Sequence, residues 1–455
     1  MDRQADGLPP SRRVPAAIAI WIAMAITVLD STIVNVGLPY IAHALAVAPA
    51  TGLWLVHGYQ LAIVAGLLPL AALGDAWGYR RVYLAGLVLF TLASLGCALA
   101  GDWPLLLALR IAQGLGAAAI MSVNGALVRH VFPAARLGWA MGINALVIAL
   151  SALAAPAMGG LILSVASWPW LFGIALLPGG MALAAGWRTL PCARGDGTPP
   201  DMLAAAMSVL AMLSLFGGAA AGFERGDPML TMAALLLFAG AFTLLWRRSL
   251  RSAAPLLPVD LLKNPVLVRA YLGSICNFAA QMMTLSALPF YLRHQPGYPP
   301  WLIGLTVGAV PLGLAMASPW AGRRADRASA DRVQGGGLML AAGGLAGYAL
   351  VPAAQPVAVA LCGLIAGAGF GLFQAPNSRK MMAYAPRQRG GAAAGMLALS
   401  RLSGQIGGVA MAGWIFGLTA SSNGRFGLVA AAIALIGSLT VMVSASKAKT
   451  ARSGD

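Results

Sequence analysis

Charged side chains are scarce in this chain of 455 residues, in which Asp, Glu, Lys and Arg together make up 9%. A soluble domain carries about 25%. The four cysteines lie far apart and form no Cys-x-x-Cys pair, so neither a disulfide framework nor a metal site is indicated. The four histidines are also scattered, without a recognisable nucleophile–base pairing, and no phosphate-binding loop is present. We therefore expect neither an enzyme, nor a bound cofactor, nor direct use of ATP.

Most of the chain is apolar, since 59% of its residues are hydrophobic. Apolar stretches of 18 residues or more recur along its length, which predicts an all-α polytopic membrane protein. The formal net charge of +17 comes from short basic clusters between these stretches rather than from one basic stripe. That distribution is typical of cytoplasmic loops and not of a nucleic-acid-binding surface. The first apolar run is too long for a cleaved leader, so we interpret it as a retained span.

Runs of about 20 apolar residues predict fourteen transmembrane helices. Their bounds are 14–41, 52–74, 82–100, 104–128, 137–164, 168–188, 202–222, 228–246, 266–292, 301–321, 333–352, 356–376, 391–418 and 424–445. With the N-terminus inside, cytoplasmic segments hold 25 of the 30 basic residues and outer loops hold three. This asymmetry follows the positive-inside rule. It predicts that both termini lie on the cytoplasmic side of the membrane.

Two pairs of similar segments indicate an internal repeat. The loop LAALGDAWGYRRVYLAG follows the second span and SPWAGRRADRASADRVQGG follows the tenth. APAMGGLI in the fifth span and SGQIGGVAM in the thirteenth share a pair of glycines. Transporters are often built from such repeats, with a site between the halves. We predict two pseudo-symmetric six-helix bundles, 1–190 and 256–455, joined by two extra helices in 191–255.

Three ionisable side chains are predicted at one depth of the membrane. Asp30 is the single deep carboxylate, and it lies roughly 6–8 Å below the outer edge of the hydrocarbon core at a rise of about 1.5 Å per residue. Arg110 and His57 fall at roughly 9 Å and 8 Å by the same count. Such residues are costly in lipid and commonly functional. We interpret them as a proton-coupling cluster, although an Asp30–Arg110 pair that only locks two helices, and a His57 that is only hydrogen-bonded, remain alternatives.

Six segments in order resemble the major facilitator superfamily, and within it the fourteen-span drug/proton antiporter family. The segments are LDSTIVNVGLP, GDAWGYRR, LRIAQGLGAA, PAMGG with SWPWLF, QAPNSRKMM and RLSGQIGG. The pattern departs where Ala71 replaces a usual glycine, and where Ala76 and Pro169 replace usual arginines.

The resemblance implies roles for two sets of residues. One set would form a charge network that is made in one conformation and broken in the other, the alternative being solvated loop charges: Asp75, Arg80, Arg81, Asp326 and Arg327. The other set would shape and closely pack the helices of the antiporter motif and its repeat: Pro156, Gly159, Gly160, Gly407 and Gly408.

The resemblance also implies the location, a bacterial inner (plasma) membrane, and the function. We expect proton-driven export of small lipophilic or cationic compounds by alternating access, with protons and a small molecule as partners and no nucleic acid. Nothing in the sequence identifies a periplasmic adaptor protein. Candidate residues of the substrate cavity, each of which has simple packing as its alternative, are Trp54, Tyr59, Asn277, Gln281, Asn377 and Arg401.

Three other functions remain open at this point. The first is a specific exporter of an endogenous metabolite or organic anion, bound by Arg110 and Arg401. The second is an uptake symporter, because direction is not readable from charges. The third is a non-transporting membrane receptor or scaffold, for which a large soluble domain would be expected and is not seen in the sequence.

Overall fold

All of the regular secondary structure in the described part of the chain is helical. The structure is a computed structural model, and it describes residues 7–191, 201–218, 221, 227–251, 259–295, 297–324, 330–352, 355–384, 390–418, 429 and 432–437. Asp326 and Arg327 of the predicted charge network lie outside these residues.

The helices are numbered here in chain order. The first part of the chain contains α1 Pro10–Ala44, α2 Pro49–Gly52, α3 Trp54–Trp77, α4 Tyr79–Leu99, α5 Trp103–Val131, α6 Ala134–Val165, α7 Trp170–Gly173 and α8 Leu176–Thr189. Next come α9 Met202–Met212, which continues as a π-helical turn over Leu213–Gly218, and α10 Pro228–Arg251. After a 3₁₀ turn at Val259–Lys263 follow α11 Pro265–Arg293, α12 Pro300–Arg324, α13 Ala330–Leu350, α14 Pro356–Tyr384 and α15 Gly390–Leu418.

Ten helices in the described residues are long and apolar enough to cross a membrane. They are Pro10–Ala44, Pro49–Trp77, Tyr79–Leu99, Trp103–Val131, Leu146–Val165, Trp170–Thr189, Pro228–Leu250, Pro265–Arg293, Pro300–Ala321 and Pro356–Met381. Four predicted spans are not among the ten. The seventh corresponds to the shorter apolar stretch Met202–Gly218, the eleventh and thirteenth correspond to α13 and α15, and the fourteenth lies largely outside the described residues. The protein is a polytopic helical membrane protein, and the number fourteen stays a prediction.

Several helices begin or end at residues suited to that position. Asp102 caps α5, since its carboxylate accepts a hydrogen bond of 2.9 Å from the backbone N–H of Leu105. Gly78 separates α3 from α4 with φ at +97°, a backbone conformation that residues with a side chain rarely adopt. The GDAWGYRR segment therefore makes the sharp turn that brings α4 back along the bundle.

The long helices pack into two bundles. In the first, α5 packs against α3 and α4, while α1 packs against α6 and α8. In the second, α14 packs against α12 and α13, while α11 packs against α15. The bundles meet where α6 crosses α12, where α1 crosses α11 and where α15 crosses α3. These crossings matter for function because any relative motion of the bundles has to change them.

The helices α9 and α10 pack against each other, and α9 also packs against α3. Near the start of α9, Asp201 and Arg248 form an exposed ion pair of 2.6 Å. The hydrogen bond from Arg248 lowers the pKa of the Asp201 carboxyl. A lowered carboxyl pKa favours the folded state above the ordinary value near 3.8, and this contribution is lost only as the pH falls through the lowered pKa. The pair is therefore unaffected by pH changes near neutrality.

Apolar side chains from five helices form one cluster on one side of the α9–α10 pair. The cluster contains Ala204 and Leu245 of that pair together with Tyr271 of α11, Met381 of α14 and Met396 of α15. The pair thus packs against α3 in the first bundle and shares an apolar cluster with helices of the second. It lies beside both bundles rather than outside the fold.

Candidate functional site

A buried charge cluster joins α1 to α5. Arg110 donates hydrogen bonds to Asp30 Oδ2 and, over 3.4 Å, to the Asp30 carbonyl. The Nε2 amide of Gln113 donates to Asp30 Oδ1 over 3.0 Å and to Ser94 Oγ over 2.7 Å. Asp30 is 1% exposed, and Arg110 and Gln113 are both 0% exposed. The carboxylate is therefore held by a cation and an amide and is closed off from water in this conformation.

Two aromatic rings complete the surroundings of Arg110. Its guanidinium carbon lies 4.0 Å from the ring centre of Tyr59 and 5.6 Å from that of Phe172. The hydroxyl of Tyr59 donates to the Thr27 carbonyl on α1 over 3.2 Å, which fixes the ring in place. A cation over an aromatic face is favourable, and more so when it is desolvated. Tyr59, which was predicted to line the substrate cavity, thus contacts the charge cluster.

Small residues of α5 let its neighbours approach closely enough to build this cluster. A side chain on Gly114 would place its Cβ 2.9 Å from Ala62 Cβ on α3, and one on Gly116 would place it 2.6 Å from the backbone N of Phe90 on α4. Close approach through small residues is the usual way in which membrane helices pack. The glycines of LRIAQGLGAA therefore bring Ser94 and Tyr59 within reach of Arg110 and Gln113.

A Gln113→Leu variant is expected to be less stable than the native protein by about 1–3 kcal/mol, because Asp30 Oδ1 loses a buried donor. Ser94→Ala is the matched control, since it removes one hydrogen bond of Gln113 and leaves Asp30 untouched. Thermal unfolding in detergent checks this, with a larger loss expected for Gln113→Leu. Equal losses in the two variants would show that Gln113 does not hold Asp30.

His57 makes its contacts away from the charge cluster. Its Nε2 is 2.7 Å from the carbonyl of Phe216, in the π-helical turn after α9, and its ring meets Trp54 edge-on at 4.7 Å. The structure therefore places His57 and Trp54 between α3 and α9, and it brings only Asp30 and Arg110 of the three predicted residues together. The coupling role of each stays a prediction.

The turn between α3 and α4 contains three residues of the predicted charge network. The Asp75 carboxylate accepts a hydrogen bond of 2.7 Å from the Tyr79 hydroxyl. Arg80 donates to the carbonyl of Trp187 at the end of α8, and its guanidinium lies 5.9 Å from that indole. Arg81 is exposed at the edge of an apolar groove of about 640 Å³. In this conformation the turn is thus tied to α8 through Arg80.

The glycine pairs of the predicted antiporter motif differ in their neighbours. A Cβ on Gly159 would lie 3.0 Å from Ile33 Cγ1 on α1, within the first bundle. A Cβ on Gly160 would lie 2.7 Å from the Pro300 carbonyl on α12, in the second bundle. In the repeat, a Cβ on Gly408 would meet the backbone of Ala279 on α11, whereas a Cβ on Gly407 would meet nothing within 4 Å outside its own turn. Pro156 lies inside α6, and its carbonyl faces Gly304.

Polar contacts also join the bundles near the ends of α1 and α11. Ser286 donates a hydrogen bond of 3.3 Å to Asn35 Oδ1, and the guanidinium of Arg293 lies 4.3 Å from the ring centre of Tyr40. Together with the crossing at Gly160, these contacts hold the bundles together at the end of the protein where the loops after α1 and α11 lie.

The second bundle holds the other predicted cavity residues. Gln281 of α11 accepts a hydrogen bond of 3.2 Å from Gln374 of α14, and Asn377 donates to the Ala270 carbonyl over 3.0 Å. Asn277 is 0% exposed, and neither of its amide atoms has a hydrogen-bond partner among the described residues. The guanidinium of Arg401, on α15, lies 4.9 Å from the ring centre of Phe278.

Sequence reasoning missed Ser94 and Gln374 as members of these polar contacts. Ser94 is a small polar residue in an apolar run, and Gln374 is the first residue of the segment QAPNSRKMM, but neither feature points to a particular partner. Their partners come from other helices, 19 positions along the chain for Ser94 and 93 for Gln374. Sequence spacing does not reveal contacts of this kind.

Apolar helices in two contacting bundles, with an ion pair buried between two of the helices, are an architecture common among secondary transporters. The sequence profile of the Major Facilitator Superfamily matches residues 20–409 and again residues 270–452, and the chain belongs to that superfamily.

Curated relatives cover most of the chain. It is 40% identical to the uncharacterized transporter YebQ of Escherichia coli over 94% of this chain and 95% of that protein. It is 31% identical to the drug efflux pump JefA of Mycobacterium tuberculosis, over 90% of this chain and 81% of that one. It is 29% identical to the riboflavin transporter RibZ of Clostridioides difficile, over 84% of each chain.

Solved structures share the fold. A POT family transporter in complex with 5-aminolevulinic acid matches with a TM-score of 0.73 over 96% of both chains. The sequence identity is 15%, so this likeness concerns the fold alone.

Proposed function

We propose that this protein is a proton-coupled antiporter that exports small lipophilic or cationic compounds by alternating access between its two bundles. The observation that carries the proposal is the Asp30–Arg110–Gln113 cluster, a buried carboxylate whose charge is balanced by a single cation on another helix. Among the curated relatives, a drug efflux pump and a tetracenomycin C resistance and export protein support export of drug-like compounds.

Competition between a proton and Arg110 for Asp30 provides the coupling. A proton on Asp30 removes the negative charge that balances Arg110, and a buried cation without a counter-charge is strongly unfavourable. Protonation therefore favours a rearrangement of α1 and α5 that gives Arg110 water or another partner. When the pair forms again, Arg110 displaces the proton. Opening Asp30 to opposite sides of the membrane before and after this exchange moves one proton per cycle.

Reconstituted proteoliposomes with an imposed pH gradient test this function. We expect fluorescent lipophilic substrates to be moved against their gradient while the pH gradient lasts, because proton movement supplies the driving force. Nigericin in potassium medium collapses the gradient and is expected to stop this transport. Accumulation that continues unchanged after nigericin would contradict proton coupling.

A further inference from the structure

The buried cluster is neutral, because the charge of Arg110 is balanced by that of Asp30. Arg401 is not part of this ion pair. Asp30 is the single deep carboxylate of the sequence, and Arg110 and Gln113 already occupy its oxygens. In the described part of the chain, Arg401 makes no ion pair, and its guanidinium lies 4.9 Å from the ring centre of Phe278. Among the described side chains, no acidic group of the second bundle therefore balances this positive charge.

Its position makes Arg401 available to a ligand. It lies twelve residues into the 29-residue helix α15, on the side that packs against α11, as the contact with Phe278 shows. Arg401 is partly exposed, whereas Arg110 is 0% exposed. A guanidinium with free N–H groups binds a carboxylate through two parallel hydrogen bonds. Phe278 offers an apolar surface next to that charge.

A buried amide lies next to this ring in the chain. Asn277 precedes Phe278 on α11, is 0% exposed, and has two amide atoms without partners among the described residues. Buried polar groups in this state are normally satisfied by water or a ligand. Asn277 is therefore a second polar group of α11, beside Phe278 in the chain, that can donate or accept a hydrogen bond.

We propose that Arg401, with Phe278 beside it, binds an acidic group of the exported compound, so that the preferred substrates are lipophilic monoanions such as aromatic carboxylates. Of the compounds named in the proposed function, this selects lipophilic ones with an acidic group over cationic ones, and it rests on the proposed function for the direction of transport. A cationic compound finds no free carboxylate in this conformation, because it has to displace Arg110 from Asp30. An anion instead meets a cation that has no counter-charge.

Binding of three matched naphthalene probes tests the site on the purified protein. The probes are 1-naphthoate, its uncharged amide 1-naphthamide, and (1-naphthylmethyl)trimethylammonium. We expect the native protein to bind the carboxylate about tenfold more tightly than the amide, because a charge-assisted hydrogen bond lowers the dissociation constant about tenfold. Arg401→Gln removes this preference, and Arg401→Lys keeps part of it. Binding of the amide is expected to be equal in all three proteins, which also shows that the variants are folded.

Two results would overturn the proposal. One is a native protein with no preference for naphthoate over the amide, or with a preference for the ammonium compound. The other is an Arg401→Gln variant that binds naphthoate as tightly as the native protein does. Should Arg401→Gln fail to fold, two results are still required: the native protein has to prefer naphthoate over the amide, and Arg401→Lys has to show a smaller preference than the native protein. Failure of proton coupling would appear separately, as Arg401-dependent binding without transport driven by a pH gradient.

Discussion

An Asp30→Asn variant is expected to lose export driven by a pH gradient altogether while it still binds substrate. Asparagine cannot release or take up a proton, so the exchange between the proton and Arg110 cannot occur. Transport down a substrate gradient, measured as counterflow without a pH gradient, is expected to continue in part. Export against a gradient with normal proton release in this variant would refute the role of Asp30.

The same substitution has a cost in stability that has to be separated from its effect on coupling. Removing one member of a buried ion pair costs about 3–5 kcal/mol, because the other charge remains buried without a partner. A double variant, Asp30→Asn with Arg110→Gln, removes both charges and is expected to regain much of that loss. It should nevertheless remain uncoupled. Recovered stability without recovered coupling would show that Asp30 does more than lock α1 to α5.

A Gly160→Val variant is expected to reduce transport strongly by preventing the bundles from closing where α6 crosses α12. The first added carbon would lie 2.7 Å from the Pro300 carbonyl and 3.0 Å from Gly304 Cα, both of which belong to backbone that cannot move aside easily. Overpacking of this kind costs about 1–3 kcal/mol. An energy of this size shifts the equilibrium between the closed and the open arrangement of the α6–α12 crossing about 5–150-fold toward the open one.

Thiol labelling at the same end of the protein measures this shift. Ser286 is 0% exposed and is bonded to Asn35 of the other bundle, so a Ser286→Cys thiol in a background without the native cysteines should react slowly. Gly160→Val is expected to speed this reaction. Gly407→Val is the control, because the first added carbon at this position would have no neighbour within 4 Å outside its own turn. Equal reaction rates in the two variants would show that the crossing at Gly160 does not hold the bundles closed.

The contact between Asp30 and Arg110 was predictable because charge is so scarce in the apolar segments. A carboxylate in such a segment needs a partner, and Arg110 was the one deep cation expected at its depth. Depth does not determine which way a side chain points around its helix axis, however. His57 was expected at the same depth, yet it faces Phe216 on α9. That direction depends on how helices pack, which an apolar sequence with a weak pattern does not reveal.

Helix positions were predictable for a similar reason, and their bounds less so. The first span was predicted at 14–41, while α1 runs from Pro10 to Ala44. The apolar run marks the part of a helix that lies in lipid, whereas the backbone hydrogen bonds continue into the polar region beyond it. The predicted span 168–188 is divided into α7 and α8 by a turn at residues 174 and 175. Proline, glycine and aromatic residues crowd this segment, and apolarity alone hides such a break.

The helices α9 and α10 contact both bundles, through α3 on one side and through the shared apolar cluster on the other. The cluster joins Ala204 and Leu245 to residues of α11, α14 and α15, while His57 of α3 hydrogen-bonds the Phe216 carbonyl in the turn after α9. If one bundle rocks against the other, this surface has to slide. Methionine has an unbranched, flexible side chain that fills changing gaps, and Met207, Met381 and Met396 all lie here. Side chains of this kind can change their packing without losing contact, so we expect α9 and α10 to stay packed against both bundles while the bundles move.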